Sequence, residues 1–274
     1  MNEKPHPCCL TIAGSDSGGN AGVQADLRAF HSYGLHGCTV FAALTAQNPS
    51  GVSAIHQVPA DFVAAQLDAV LGIYAIGALK TGMISDPDSI AAVAERLASH
   101  PEIAKVVDPV MVATSGARLV SGAAMEAIER LLLPMATVVT PNLPEAEALL
   151  GLPSGAGRGG DAAYAAELAR RIRERFGCAV VVKGGHGTSD SAVDVLVSAE
   201  GVREFSMPWV ADPVSTHGTG CSFAAALAAE LALGATLEDA VRGAKSYVHK
   251  AIERAMFVGE GCGVLGFVPS CSRS

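Results

Sequence analysis

The sequence lacks the residues that several classes of protein depend on. Its 274 residues carry a formal net charge of −8, so a basic face for nucleic acid or for an anionic membrane is not expected. The seven cysteines are an odd number without a C-x-x-C pair, and the eight histidines show no ligand spacing, which argues against a disulfide framework or a zinc site. The N-terminal segment has no signal-peptide core, and no run is apolar enough to span a membrane. These absences predict a cytoplasmic protein without nucleic-acid or membrane partners.

Internal repeats, low-complexity blocks and long polar linkers are also missing, so we expect a single domain over residues 1–274. Hydrophobic residues make up 50% of the chain, enough for a sizeable core. Helical patterns separate strand-like runs, which are CLTIAG, IGALKTG, KVVDPVM, TVVTPN and AVVVKGG. This alternation is typical of a mostly parallel sheet wound with helices, and it predicts an α/β fold.

Two pairs of runs differ from this alternation. The segment SAVDVLVSAEGVREFSMPWV predicts a hairpin around Glu200-Gly201 and therefore an antiparallel edge. The runs GCTVFAALTA and GVSAIHQV flank residues 47–50 and are expected to form a small β lid over one end of the sheet. The lid pair favours a homodimer, and residues 153–160 are the candidate flexible loop.

The predicted strands end in residues that do not serve packing. Five such ends carry Gly14-Ser15-Asp16, the segment 80–83, Asp108-Pro109, the segment 140–142 and the segment 183–186. Ligands of open α/β sheets bind outside the carboxyl ends of the strands, so we expect these ends to converge on one crevice.

The segment HGTGC, residues 217–221, places a glycine turn directly before an alanine-rich helix that we expect over about Cys221 to Leu233. Gly218 and Gly220 let successive backbone N–H groups point into one space, and the helix dipole adds partial positive charge there. The segment therefore predicts an anion hole. We expect the pKa of the Cys221 thiol to be lowered, so that it can accept a proton. The alternative is a glycine-rich turn followed by a core cysteine.

The first glycine cluster, GSDSGGNAG, is neither a P-loop nor a dinucleotide-binding turn. Asn20-Ala21 stand where a P-loop needs Lys-Ser/Thr, and Asp16 would repel a triphosphate. A tight turn that lets a flat substrate approach the backbone, with Gly14 at its start, fits better. Asp26 follows one turn into the next helix, either as a hydrogen-bonding carboxylate or as an exposed surface residue.

Candidate metal and phosphate contacts lie at the later strand ends. Asn142 and Glu145 stand three apart at a helix start, so both can face the crevice, and Asp108 offers a second carboxylate. Hard oxygen ligands of this kind suit Mg²⁺. The alternative for Glu145 is a first-turn residue that complements the helix dipole. Lys183 is either a phosphate contact or a surface lysine, and His217 and His186 flank glycine turns, where they contact phosphate or only cap loops.

Seven motifs occur in one order between about residues 9 and 256: LTIAGSDSGGNAGVQADL, ALTAQN, ALKTGM, VDPVM, TPNLPEAEALLG, VVKGGH and THGTGC. Together they resemble the hydroxymethylpyrimidine/phosphomethylpyrimidine kinases of thiamine biosynthesis, members of the ribokinase superfamily. The resemblance implies a three-layer α/β/α sandwich with a small β lid. It also implies an ATP- and Mg²⁺-dependent enzyme that phosphorylates 4-amino-5-hydroxymethyl-2-methylpyrimidine and then its monophosphate, in one site.

The resemblance implies roles for the pyrimidine-binding residues. Asp26 and Gln47 would hydrogen-bond the aminopyrimidine, and Met83 and Val110 would enclose its ring.

The same resemblance makes Cys221 the catalytic residue beside the 5-hydroxymethyl group, with Gly218, Thr219 and Gly220 forming the rest of the anion hole. Many sugar kinases of the superfamily carry Asp where Cys221 stands, so this residue indicates the pyrimidine substrate. We hypothesise that a neutral thiol repels the phosphorylated second acceptor less than a carboxylate would.

For the nucleotide, the resemblance implies that Asp108 and Glu145 organise Mg²⁺, with Asn142, Lys183 and Thr219 near the ATP phosphates. Two alternatives stay open: a pyridoxal/pyridoxine kinase of the same superfamily, and a ligand-sensing module that has lost catalysis. The sequence departs from the family pattern at Asn20 and in the tail VGEGCGVLGF. It has no appended thiamine-phosphate synthase or thiaminase-like segment, so a fused second activity is not expected.

Overall fold

The computed structural model describes residues 6–49, 51–111, 120–153, 155, 161–184, 191–266 and 268. Within these residues the chain forms a nine-stranded sheet in the order β3-β2-β1-β4-β5-β6-β7-β8-β9. The strands are β1 Cys8–Asp16, β2 His36–Asn48, β3 Gly51–Gln57, β4 Ile76–Thr81, β5 Ala104–Val107, β6 Val138–Val139, β7 Ala179–Val182, β8 Ser191–Ser198 and β9 Gly201–Pro208. A separate hairpin pairs β10 Met256–Gly259 with β11 Cys262–Val264.

The centre of the sheet is parallel, as the alternation predicted. Strands β2, β1, β4, β5, β6 and β7 pair in parallel, and β8 and β9 close one edge as an antiparallel hairpin. All four residues of β7 are buried, which is the pattern of a strand covered by helices on both faces. The predicted fold class and the predicted edge hairpin are confirmed.

Helices cover both faces of this sheet and give a three-layer α/β/α sandwich. The helices are α1 Gly22–Ser32, α2 Ala60–Leu71, α3 Pro87–Ala98, α4 Gly122–Ala127, α5 Leu143–Leu149, α6 Ala162–Phe176, α7 Thr219–Ala232 and α8 Leu237–Glu253. Helices α1, α7 and α8 contribute to the core on one face, and α2 to α6 contribute to the core on the other. Of the helices in the described residues, none is both long enough and apolar enough to cross a membrane.

Helix α7 lies largely inside the molecule. Its residues 222–229 are all buried, because it packs against α8, α1 and the sheet. Alanine suits this position, since its small side chain allows close approach and has the best helix propensity. The helix begins at Thr219, two residues before the start that the sequence predicted, so the glycine turn is itself the helix start.

The two runs that were expected to form the lid pair with each other. The run GCTVFAALTA belongs to the 13-residue strand β2, which pairs antiparallel with the edge strand β3 over residues 43–48. On its other edge, residues 36–45 of β2 pair in parallel with β1. A hairpin therefore continues the main sheet past its edge. The candidate flexible loop 153–160 lies mostly outside the described residues.

Candidate active site

The structure brings the ends of the central strands together at one edge of the sheet. Backbone hydrogen bonds tie each end to the next: Gly82 N donates to Ile12 O at 2.9 Å, Asp108 N to Thr81 O at 3.0 Å, and Lys183 N to Pro141 O at 2.9 Å. The side chains that follow β1, β4, β5, β6 and β7 therefore share one crevice, and the N-terminus of α7 lies beside it.

The glycine turn before α7 has the geometry of an anion hole. Gly218 has φ +87°, a left-handed conformation that favours glycine. A Cβ on Gly218 would lie 1.9 Å from the carbonyl oxygen of Asn20, so only glycine fits this contact between the two glycine loops. The first bond of the helix ladder runs from Ser222 N to Gly218 O at 2.9 Å. The amides of Gly220 and Cys221 precede that bond and are available to a ligand.

Cys221 is partly buried beside this turn, and its sulfur is oriented toward the start of α1. The backbone amide of Gly22, at the start of α1, is close enough to affect the pKa of its thiol. Burial raises the pKa of the thiol, the negative charges of Asp26 and Asp108 raise it further, and Lys80 and the Gly22 amide lower it. The expectation of a lowered pKa is therefore wrong for the protein without ligands, because burial and two carboxylates outweigh one ammonium and the backbone amide.

Lys80 is a charged residue of the site that sequence reasoning passed over. Its side chain on β4 is fully buried, and its Nζ donates to both carboxylate oxygens of Asp26, at 2.9 and 3.1 Å. Thr11 Oγ1 donates to the same carboxylate at 2.6 Å. Burial disfavours the charge on Lys80, but Asp26, Cys221 and Asp108 together raise its pKa. The signal in the sequence was a lysine inside an otherwise apolar strand, in ALKTGM.

The partners of Asp26 also change its expected role. Its carboxylate is 0% exposed and is held by Lys80 and Thr11, so it is not the exposed helix residue of the alternative interpretation. In this conformation it has no free surface with which to bind a pyrimidine directly.

A second ion pair lies on the other side of the glycine turn. Lys183 Nζ contacts Asp108 Oδ1 at 2.9 Å, and Thr140 Oγ1 donates to the same oxygen at 2.9 Å. A Cβ on Gly220 would lie 3.4 Å from Lys183 Nζ, which places this ammonium against the turn. Burial disfavours its charge, but Asp108 and Glu145 raise the pKa of Lys183, which is thus cationic. Lys183 is therefore a site residue and not a surface lysine.

Asn142 and Glu145 contact each other as well as the crevice. The Asn142 side chain accepts from Glu145 N at 2.9 Å, and the Glu145 side chain accepts from Asn142 N at 2.8 Å, which is a capping box at the start of α5. Burial raises the pKa of Glu145 to about 7; the charge of Lys183 opposes this shift and that of Asp108 adds to it. Glu145 therefore caps the start of α5, as in the alternative interpretation, and also interacts with the charges of Lys183 and Asp108.

The first glycine loop folds around its own aspartate. Asp16 is buried, and its carboxylate accepts from the backbone N–H groups of Gly18, Asn20 and Ala21, each at 2.8 Å. Its role is therefore to hold the loop that contacts Gly218.

The remaining predicted residues surround this loop. The Met83 methyl group is 2.5 Å from where a Cβ on Gly14 would lie, so these two pack together. The backbone N–H of Gln47 donates to Ser17 Oγ at 2.8 Å, on the same loop. Val110 N donates to Asp108 O at 2.8 Å, and Thr219 Oγ1 donates to Thr216 O at 3.0 Å.

The two histidines differ in what can be said of them. Burial lowers the pKa of His217, and the negative charge of Asp16 opposes this shift. Within the described residues, the buried Nε2 of His217 has no hydrogen-bond partner. His186 lies outside the described residues. The crevice therefore combines helix-start amides, the buried Lys80, the partly buried Lys183, three carboxylates and one partly exposed thiol, an arrangement suited to transferring a phosphoryl group.

Comparison with known proteins agrees with this chemistry. A family model described as Phosphomethylpyrimidine kinase matches residues 16–266. The chain is 44% identical over 256 residues to the hydroxymethylpyrimidine/phosphomethylpyrimidine kinase of Rhizobium meliloti, covering 93% of this chain and 94% of that protein. It is 42% identical over 264 residues to the thiamine biosynthesis bifunctional protein of Geobacter sulfurreducens, covering 96% of this chain but 53% of that protein, about half of its length.

Solved structures extend the comparison. A pyridoxal kinase of Bacillus subtilis in complex with ADP matches with a TM-score of 0.87 at 33% identity, covering 96% of this chain and 98% of the other. A phosphomethylpyrimidine kinase of Clostridium difficile matches with a TM-score of 0.78 at 35% identity, covering 90% of this chain and 100% of the other.

Proposed function

The chain belongs to the hydroxymethylpyrimidine/phosphomethylpyrimidine kinase family, and from that membership we propose how its site works. It is an ATP-dependent kinase of thiamine biosynthesis with a ribokinase-like fold. It phosphorylates 4-amino-5-hydroxymethyl-2-methylpyrimidine to the monophosphate and then to the diphosphate. The observation that carries the site assignment is the glycine turn of residues 218–221, which ends in Cys221 and lies against the ammonium of Lys183.

Phosphoryl transfer depends mainly on positioning and on stabilising charge, and the site offers both. The amides of Gly220 and Cys221 and the α7 dipole would bind the transferring group as an anion hole. Lys183, which lies against Gly220, would contact the ATP phosphates together with Thr219 and Asn142. These groups are already fixed by the helix start, the ion pair and the capping box, so little reorganisation is needed during transfer.

Cys221 would accept the proton of the acceptor hydroxyl. The raised pKa of the thiol means that the thiolate is a minor form in the protein without ligands, so activity should increase with pH as this group ionises. The Gly22 amide and the positive charge of Lys80 favour the thiolate, and the anion hole keeps the phosphoryl group beside it.

The donor set at Asp108 and Glu145 fits Mg²⁺. The charge of Asp108 raises the pKa of Glu145, so the two carboxylates lie close enough to repel each other, and a bound cation would relieve that repulsion. Within the described residues no group of three or more metal-ligating side chains occurs, which agrees with an ion held by one or two carboxylates, waters and substrate phosphates. Bound there, Mg²⁺ would neutralise phosphate charge, while Lys183 orients Asp108.

The pyrimidine would bind against the first glycine loop. Met83 packs on Gly14, and Gln47 is fixed by Ser17, so these residues and Val110 can present an apolar wall and an amide to a flat ring. Asp26 would reach the ring only if it exchanged its contacts with Lys80 or Thr11.

Assembly and location complete the proposal. The edge strand β3 is mostly exposed, and Leu44 and Ile55 on this hairpin are 46% and 41% exposed, which favours a homodimer through this surface. A cytoplasmic setting agrees with the six described cysteines, all of them unpaired. The single kinase domain over residues 1–274 stays a prediction.

Pyridoxal kinase is the second candidate, because a protein of that name matches this fold with a TM-score of 0.87. Its acceptor is also a flat heteroaromatic alcohol. Mass spectrometry of products from Mg-ATP with each alcohol separates the two. The proposal predicts a pyrimidine monophosphate followed by a diphosphate, and a product from pyridoxal alone would contradict it. A chain that phosphorylates neither alcohol would contradict both.

A further inference from the structure

The fully buried ion pair behind the glycine turn has no place in the phosphate-binding machinery of the crevice. Lys80 and Asp26 are both 0% exposed, so the pair cannot contact a nucleotide in this conformation. Burying two charges is costly unless their geometry and hydrogen bonding are good, and a pair of this kind is weak evidence for stability. A functional reason is therefore needed for placing it here.

The geometry fixes the ammonium at one point. Both carboxylate oxygens of Asp26 accept from Lys80 Nζ, and Thr11 holds the carboxylate from β1. A Cβ on Gly82 would lie 2.7 Å from Nζ, so the glycine after Thr81 leaves room for the ammonium at the strand end. The position of Lys80 at the end of β4 is thus determined by two other elements, α1 through Asp26 and β1 through Thr11.

The charged groups around Cys221 come from every element packed against it. Lys80 acts on it from β4, Asp26 from α1, Asp108 from the end of β5 and Lys183 from the end of β7, and the backbone amide of Gly22 acts from the start of α1. The two carboxylates oppose a negative charge on sulfur, and Lys80 is the stronger of the two groups that lower the pKa of the thiol. Asp108 is itself paired with Lys183, and Lys80 is paired with Asp26.

We propose that Lys80 is a positioning residue for the transfer: its buried ammonium, fixed by Asp26 and Thr11, stabilises the Cys221 thiolate that takes the proton of the acceptor hydroxyl. As that proton moves to sulfur, the acceptor oxygen bonds to the γ-phosphorus and the bond from phosphorus to the ADP oxygen breaks. The thiol then returns its proton to water. The kinetic consequence rests on the proposed function, but the effect of Lys80 on the thiol does not.

The test measures the thiol without substrate, nucleotide or metal. Iodoacetamide labelling of Cys221 in the full chain is followed by peptide mass spectrometry across pH 6–10. The pKa of this thiol is raised, so the labelling rate in this range follows the thiolate fraction, and a shift of the pH midpoint between two variants is read from the displacement of their rate-against-pH curves. Lys80→Met should raise the midpoint by about 1–3 pH units, the effect of removing a nearby opposite charge, and should lower labelling at a fixed pH at least about tenfold. The double variant Lys80→Met with Asp26→Asn is compared with Asp26→Asn alone, because the two charges act on the thiol in opposite directions, and it should have the higher midpoint of the two.

The matched control is Lys105→Met. Lys105 is a buried lysine on the neighbouring strand β5, and its Nζ donates to the carbonyls of His100 and Ile103. It should cost stability without moving the Cys221 midpoint. An unchanged midpoint in folded Lys80→Met against wild type, or in the double variant against Asp26→Asn, or an equal shift in Lys105→Met, would overturn the proposal. If the midpoint shifts as expected but the pH dependence of kcat/KM does not follow it, the role of Lys80 stands and the proposed role of Cys221 as base fails.

Discussion

Replacing Gly218 by alanine tests whether the glycine turn builds the phosphoryl site. Gly218 has φ +87°, which costs a residue with a side chain about 1–2 kcal/mol. Its new Cβ would also lie 1.9 Å from the Asn20 carbonyl oxygen, so the turn and the first glycine loop must separate. Since ordinary contacts begin near 3.4 Å, the amides of the hole would move by about 1 Å or more. A displacement of that size costs about 10² in rate, and loss of one oxyanion-type donor about 10²–10³.

The control is Gly177→Ala at the end of α6. Gly177 has φ +80°, so it shares the conformational cost, but among the described residues nothing lies within 4 Å of its Cβ position. Thermal unfolding should show a loss of about 1–2 kcal/mol for Gly177→Ala and at least as much for Gly218→Ala. ADP release under saturating Mg-ATP and pyrimidine alcohol should fall about 10²–10³-fold for Gly218→Ala only. Equal turnover in the two folded variants would show that the turn does not build the phosphoryl site.

Cys221, Glu145 and the exposed sheet edge each give a further prediction. Cys221→Ala should slow both phosphorylations by about 10²–10⁴-fold through loss of the base, whereas Cys262→Ala, at another partly buried cysteine, should not. If Cys221→Ala turned over at the wild-type rate, Cys221 would have no part in the chemistry. Glu145 has a pKa of about 7 in the fold against 4.5 for an ordinary glutamate, so the native state binds more protons than the unfolded state between these pH values. The free energy of unfolding without metal should therefore fall by on the order of 3 kcal/mol as pH rises from 4.5 to 7. Denaturant titrations should show that fall reduced in Glu145→Gln, and an unchanged pH dependence would contradict the assignment. Light scattering should report a dimer for the wild type. Leu44→Asp should dissociate this dimer, whereas Ile73→Asp, at an 83% exposed position, should not. A wild-type monomer would exclude the interface.

The fold could be predicted because its information is local. Strand runs such as AVVVKGG and the hairpin around Glu200-Gly201 carry their own periodicity and turn residues, and both were correct. The lid was predicted as a pair of strands but not as part of the main sheet. Nothing in GCTVFAALTA shows that β2 also pairs in parallel with β1, because the same β-branched and apolar residues suit a strand in either place.

The site could be predicted only in part, because its physics depends on partners distant in sequence. Lys80 and Asp26 are 54 positions apart, and Asp108 and Lys183 are 75 apart, so the pairs are not visible in any motif. The wrong expectation for Cys221 has the same cause. A helix start lowers the pKa of a thiol, but the burial and the two carboxylates that reverse this shift come from packing.

Asp16 shows the same limit in a loop. The sequence indicated a carboxylate that repels phosphate, whereas the structure shows one that organises three backbone amides. At Asn20, where the sequence departs from the family pattern, the residue supplies the carbonyl that Gly218 contacts, and the left-handed residues of this loop are Gly19 and Gly22.

A crystal structure with ADP, a planar metal-fluoride analogue of the phosphoryl group and the aminopyrimidine alcohol would show whether the glycine turn holds the transferring group. We expect the analogue to be bound by the amides of Gly220 and Cys221, with Lys183 on one side and the Cys221 sulfur within hydrogen-bonding distance of the acceptor oxygen. An analogue bound elsewhere in the crevice, or a Cys221 sulfur turned away from the acceptor, would contradict the proposed mechanism.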